Sequence, residues 1–578
     1  MRSPRRRFPG FPRVLAALLL GALLPALATG ASRPPQQFSH GVVVSTDSLA
    51  SLAGVSILER GGNAADAAVA TALALAVVHP QAGNLLGGHF SMWRGQDGHA
   101  EVIDGREVAP SGVDPSLFLD AEGHPEPRAS LRSPRAIGVP GTVPALALLH
   151  ARHGKLPWST VVEPARRLAA DGFFISSELA GTLRRARPIL SRDPDAARIF
   201  YPHGASPSTG DRLVQKDLAL TLKRLQEGGP TTFQSGEVAA QLAQDLARRG
   251  APVTRSDLSS YRPIVRSPIV IDYRGWRVLA PPLPSAGGVA VAQALGTLRH
   301  YSITPEDRGG SRLFHLLAET LRRTFADRFR WLGDPDFIQD PLSRLLNATR
   351  LDEWSRSISL DRVTPSAELF SAGVERRKGP GRPESEETTH FSIVDHWGNA
   401  VSQTTTLNTS FGTGMIARGT GLFWNNEMDD FAIAPGLPNT YGIPGSRPNA
   451  VVAGKRPLSS MSPTIVERDG HLSLVLGSPG GSTIPSTIVE VLLNIFDLDL
   501  NIQEAVDAPR IHHQGIPDFL QYEPGALSPD VRSALERRGH RLRARSWPQG
   551  DVQVIRVESG GALSAAADPR RGGAARGY

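Results

Sequence analysis

Between residues 371 and 387 the chain reads SAGVERRKGPGRPESEE, with three Gly, two Pro, eight charged side chains and no apolar periodicity. A stretch of that composition cannot bury a core. At Thr388 it gives way abruptly to TTHFSIVDHWGNAVSQTTTLN, whose alternation predicts a hairpin: a strand from His390 to Val394, a turn from Asp395 to Asn399 around Gly398, and a return strand from Ala400 to Asn408. Thr388 thus heads a rigid element directly after a segment of linker composition. That juxtaposition suits a scissile bond between Glu387 and Thr388, with Thr388 becoming a free N-terminus. Taken alone, it better fits an exposed loop ahead of an ordinary strand, where Thr is common anyway.

The first residues, MRSPRRRFPGFPR, precede an apolar run from Val14 to Leu24 and the small-residue end Ala26 to Ala28. This is the pattern of an export signal, too short for a membrane span, and it predicts a periplasmic or secreted protein cut between residues 28 and 31. The Arg5-Arg6-Arg7-Phe8 run leaves a twin-arginine route open. Of the formal charge of +7, five units are arginines of the signal, leaving +2 for the rest. The basic balance is therefore no argument for nucleic-acid binding. The strongly apolar run from Ala64 to Val78, interrupted by Asp66, reads as a buried helix. With no cysteine in the chain, disulfides, thiol catalysis and Cys-ligated zinc are excluded.

A G-x-S-x-G elbow, an H-E-x-x-H pair and a phosphate loop with its Lys are all missing. That shifts weight to Thr388, whose own α-amine, once freed, can act as base toward its hydroxyl. Three further segments carry chemistry. A strand from Leu472 to Val475, the turn GSPGGS and a helix-like run from Ile484 to Leu500 bring the N–H groups of Gly480 and Gly481 near one point, suiting an oxyanion; a plain strand-to-helix turn is the alternative. In GLFWNNEMDDF, Glu427, Asp429 and Asp430 cluster after an apolar strand and can hold an ammonium; they could equally bind a metal or face water, although the calcium-loop pattern is absent. In IDGREVAP, Arg106 follows a short strand and suits a carboxylate, although a lone Arg is most often a surface ion pair. Together these make an amidase for a substrate with an amino-acid end.

The segments GGNAADAAVA (61–70), HPQAGN (79–84), DGREVAP (104–110), VPGTVPAL (139–146), VVEPARRLAADGF (161–173), TTHFSIVDHWGNAV (388–401), TLNTSFGTGM (406–415), NNEMDDF (425–431), KRPLSSMSPTI (455–465), GSPGGS (477–482) and APRIHH (508–513) resemble those of γ-glutamyltranspeptidases, or glutathione hydrolases. These are N-terminal nucleophile hydrolases that cut themselves before a threonine. The resemblance implies an α/β fold, a four-layer αββα sandwich built jointly by a large subunit, 32–387, and a small subunit, 388–578. It implies Thr388 as nucleophile, Thr406 as support for its hydroxyl, and Gly480 and Gly481 as oxyanion donors. Arg106, Ser459 and Ser460 would hold the substrate α-carboxylate, and Asn408, Glu427 and Asp430 its α-ammonium. The stretch from about Pro435 to Lys455, with Tyr441, matches a lid loop. No cofactor or metal is called for, and the partners expected are glutathione, other γ-glutamyl compounds, and amino-acid or dipeptide acceptors.

Two departures stand out. Where the family often has four glycines this chain has Leu86, Gly87, Gly88 and His89, and Gly105 replaces a frequent aromatic. If those positions needed φ > 0, Leu86 or His89 would be strained. The alternatives left open are a related glutaryl (cephalosporin) acylase and an exported binding protein that has lost catalysis.

Overall fold

The computed structural model describes residues 33–120, 122–124, 126, 129–370, 388–432 and 437–578. The signal segment and the linker from 371 to 387, Glu387 included, lie outside the described residues. The chain divides into Met1–Pro34, of which only Arg33 and Pro34 are described, and Pro35–Tyr578.

Two seven-stranded sheets organise Pro35–Tyr578. One runs, edge to edge, Ala574–Gly577, Val42–Ser45, Thr388–Val394, Ala400–Thr406, Gly88–Arg94, Ala100–Gly105 and Ile264–Arg266; the other runs Gln36–Phe38, Leu563–Ala567, Gln553–Val557, His471–Gly477, Thr464–Arg468, Trp276–Ala280 and Ile269–Tyr273. Every pairing within the two is antiparallel. Strands from both sides of residue 387 interleave in each sheet, so the part beginning at Thr388 is not a separate domain.

The hairpin forms where alternation predicts it, but its polar face does not meet water. All seven residues of Thr388–Val394 and of Ala400–Thr406 are buried. Phe391, Ile393 and Val401 pack in one apolar cluster with the helices Ser48–Glu59, Ala64–Val78 and Thr142–His153. The opposite face turns to the second sheet: Ser392 Oγ donates to Gln553 O at 2.9 Å and Ser402 Oγ to Leu476 O at 2.9 Å. Successive side chains alternate across a strand, so Thr388 and Thr406 share this inter-sheet face. The second sheet is covered outside by Ala286–Leu298 and Ile484–Phe496, whose apolar residues join its core cluster. The result is the four-layer αββα arrangement expected from the resemblance.

Local boundaries differ in four places: the first hairpin strand begins at Thr388 rather than His390, the strand before the glycine turn runs His471–Gly477 rather than Leu472–Val475, and two elements end early. The return strand stops at Thr406, because Asn408 has φ +72° and its N–H turns back onto Thr406 Oγ1 at 2.9 Å. The helix after the glycine turn ends at Phe496 rather than Leu500, where Asp499 adopts φ +53°. The buried helix Ala64–Val78 forms as read. Its one charge is absorbed by the cap: Asp66 Oδ2 accepts from Asn63 N, whose side chain accepts from Asp66 N, and Asp66 also accepts from Lys155 N. Among the described residues no helix is long and apolar enough to cross a membrane.

One buried acid makes stability depend on pH. Glu490, in Ile484–Phe496, accepts from Ile511 N at 2.8 Å, and burial pushes its carboxyl from 4.5 up to about 8. The folded chain then keeps a proton that the unfolded chain loses near pH 4.5. The stability contributed is therefore present below pH 4.5 and lost as pH rises to about 8. Glu490→Gln should flatten this fall, so its melting temperature relative to the native chain should climb between pH 5 and 8; a constant offset would show that Glu490 does not titrate in that window.

Candidate active site

Thr388 and Thr406 are cross-strand partners at the end of the central hairpin, and both open onto a cleft of about 310 Å³. The other site residues reach it from separate elements. Arg106 leaves the end of the strand Ala100–Gly105, held by Asp104 Oδ1 on its N–H, and its side chain donates to Pro457 O and Leu458 O. Glu427 and Asp430 come from the 3₁₀ turn Glu427–Asp430. Ser459 and Ser460 lie on a turn docked against the start of Ala286–Leu298. There Ser285 Oγ donates to Met461 O at 2.6 Å, and Gly287 approaches so closely that a Cβ on it would lie 2.1 Å from Ser460 O.

Arg106, fully buried, pairs through Nη1 with Glu427 and through Nη2 with Asp430 at 2.5 Å, and Glu107 lies 3.4 Å from Nη1. Burial opposes its charge, but Glu427, Asp430 and Glu107 outweigh that and hold its pKa above the ordinary value. Burial also raises Glu427 well above the usual carboxylate range and Glu107 to about 7. In both, burial outweighs the attraction of the Arg106 guanidinium. Among the described residues two buried acceptors of cleft-lining side chains have no hydrogen-bond partner, Asn408 Oδ1 and Glu427 Oε2. Unmatched buried acceptors are costly, and a cationic donor in the cleft answers both.

The glycine turn uses positive φ at two successive residues, which glycine alone takes readily. Gly480 has φ +135° and Gly481 φ +55°, leading into the short turn Gly481–Thr483 and then Ile484–Phe496. Gly481 and Ile484 line the cleft, so a helix start faces it. The stretch carrying Tyr441 packs over this point: Tyr441 Oη donates to Asn408 O at 2.6 Å, and a Cβ on Gly481 would lie 2.7 Å from Tyr441 Cε1.

Of the residues read from the sequence, Arg106, Thr388, Thr406, Asn408, Glu427, Asp430, Tyr441, Ser459, Ser460 and Gly481 all line the one cleft. Gly480 does not; its carbonyl accepts from Thr483 N and Oγ1. Asp429, third of the acidic cluster, turns away to accept from Ser130 Oγ at 2.7 Å and from Thr440 N at 3.1 Å, so it anchors the stretch that carries Tyr441. Neither Leu86 nor His89 has positive φ, so the departures cause no backbone strain. His89 stands opposite Gly105 in register, and a Cβ on Gly105 would lie 2.5 Å from Ala145 Cβ, leaving no room there for an aromatic. His390 is no base: its nitrogens engage Thr404 and Ser392, and burial lowers its pKa to about 3. Sequence reasoning missed Arg328, Ile443, Met461 and Ile484 in the cleft wall; nothing in their spacing marks them. Among the described residues no group of His, Asp and Glu is placed to hold a metal ion.

Sandwich and cleft together define the N-terminal nucleophile hydrolase type of fold, shared with solved relatives. A cephalosporin acylase from Bacillus halodurans superposes with a TM-score of 0.82 at 27% identity, over 95% of this chain and 97% of that one. The γ-glutamyltranspeptidase of Helicobacter pylori gives 0.55 at 36% identity, over 58% of this chain and 96% of its own. The glutathione hydrolase proenzyme of Escherichia coli K12 is 42% identical, across 96% of this chain and 97% of its length, and that of Pseudomonas aeruginosa 40%, across 97% and 98%. The γ-glutamyltranspeptidase family model matches residues 50–578, and the chain belongs to this family of enzymes.

Proposed function

We propose that the chain is an exported, self-cleaving γ-glutamyltranspeptidase and glutathione hydrolase, active as large and small fragments of one precursor, 32–387 and 388–578. The observation that carries this is the wall of the Thr388 cleft, where two guanidiniums, two serines and two acceptors unmatched among the described residues surround the proposed nucleophile. A glutamyl end group presents the matching carboxylate and ammonium. Cleavage before Thr388 frees its α-amine, which accepts the Oγ1 proton as the oxygen attacks the γ-carbonyl. The N–H groups of the Gly480–Gly481 turn steady the oxyanion, the amine leaves protonated, and the γ-glutamyl ester passes to water or to an acceptor amine. Arg106, Ser459 and Ser460 receive the α-carboxylate; Asn408, Glu427 and Asp430 receive the α-ammonium. This requires no cofactor. The signal-like start supports a periplasmic or secreted location.

Substrate selection tests the reading against a glutaryl acylase. A glutaryl group keeps the carboxylate and lacks the ammonium. Asp430→Asn removes one charge-assisted partner, worth on the order of 2 kcal/mol or about thirtyfold. Turnover of γ-glutamyl anilide should therefore drop far more than turnover of glutaryl anilide. Equal drops would show that Asp430 does not read the ammonium, and a native enzyme that prefers the glutaryl compound would overturn the proposed substrate class.

A further inference from the structure

The helix Ser311–Trp331 carries five arginines. Arg312 pairs with Asp307, Arg322 with Asp518, Arg323 with Glu319, and Arg330 donates to Leu369 O. Arg328 differs. Only 8% exposed, it has no ion pair or side-chain hydrogen bond among the described residues, and its Nε is buried without a partner. Its side chain forms part of the wall of the Thr388 cleft and of a second cleft beneath the lid, bounded by Asn439, Ile443 and Ser446. Burial lowers its pKa to about 10, with Asp430 opposing and Arg106 adding to the effect, so it stays charged at neutral pH.

A buried cation is costly without a counter-charge. The other cation of the cleft wall, Arg106, already has Glu427 and Asp430. Arg328 thus brings a positive charge whose planar donor fork is unused, a geometry suited to a carboxylate. Resting on the function proposed above, we propose that Arg328 receives a substrate carboxylate in this cleft, making it a specificity-determining residue beside Arg106. Two carboxylates qualify by chemistry: the α-carboxylate of the γ-glutamyl donor, and the terminal carboxylate of the peptide that leaves or accepts.

Arg328→Gln separates them. The donors are γ-glutamyl anilide and its α-carboxamide, hydrolysed without acceptor; the acceptors are glycylglycine and glycylglycinamide. If the donor carboxylate binds Arg328, KM for the anilide rises about tenfold or more while KM for its carboxamide is unmoved. If the peptide carboxylate binds it, KM for glycylglycine rises in the same way and that for glycylglycinamide does not. Equal changes, or none, within both pairs overturn the proposal. Cleavage into two fragments reports a folded variant independently of substrate. Should Arg328→Gln fail to cleave, the charge-balanced Arg328→Gln/Asp430→Asn enzyme, compared with Asp430→Asn, carries the same test. A native enzyme inactive on every γ-glutamyl donor would instead refute the underlying function.

Discussion

Thr388→Ala should leave the precursor as a single band in denaturing electrophoresis and abolish turnover of γ-glutamyl anilide. The native chain should give two bands, the smaller beginning Thr-Thr-His-Phe. In the proposed mechanism one oxygen has both tasks: Oγ1 attacks the preceding peptide carbonyl during maturation and the γ-amide carbonyl in each later cycle. Alanine removes that atom while hardly disturbing a position whose neighbours on the strand are fully paired. Thr388→Ser, which retains the oxygen, should still cleave, at a reduced rate. Wild-type-like cleavage of the alanine chain would assign the attack to another group, and a small fragment starting elsewhere would move the nucleophile.

The second large effect is expected at Gly481. Alanine there must accept φ +55° and a Cβ 2.7 Å from Tyr441 Cε1. The backbone conformation alone costs about 1 to 2 kcal/mol, a small shift in melting. Displacing an N–H from a developing oxyanion costs about 3 to 4 kcal/mol, a hundredfold or more in turnover. Gly481→Ala should therefore lose turnover by that factor while melting only slightly earlier. The contact with Tyr441 offers a rival cause, a displaced lid, which Gly481→Ala/Tyr441→Ala resolves. Persistent loss in the double variant supports the oxyanion role; recovery to the level of Tyr441→Ala assigns the defect to the lid, and a collapse of melting assigns the glycine to the fold.

Much of this was legible in one dimension because the signals are local. The hairpin after Thr388 follows from alternation, the Ala64–Val78 helix from its apolar run, and the glycine turn from its position between strand and helix. What alternation could not say is that both faces of the hairpin are interior. Period two separates Phe391 and Ile393 from His390 and Ser392, but whether the polar face meets water or another sheet depends on the second sheet, built of strands distant in the chain. The same holds for the acidic cluster: Asp429 and Asp430 are neighbours with equal chemistry, and only the short helical turn sends one to the lid and the other to Arg106.

By itself the sequence marked out Thr388 as the candidate nucleophile, the glycine turn, the class of groups around them and, through the resemblance, the family. These depend on residue type and short spacing, which the chain carries directly. The tertiary structure alone decided which charges are already matched. Arg106 looks free as a residue in a motif, yet it is held by Glu427 and Asp430, brought from more than three hundred residues away. Arg328 looks like any other arginine on its helix, yet it lines the cleft with no ion pair among the described residues. Pairing acts through space and depends on burial, so a buried cation's partner is fixed by which elements pack beside it.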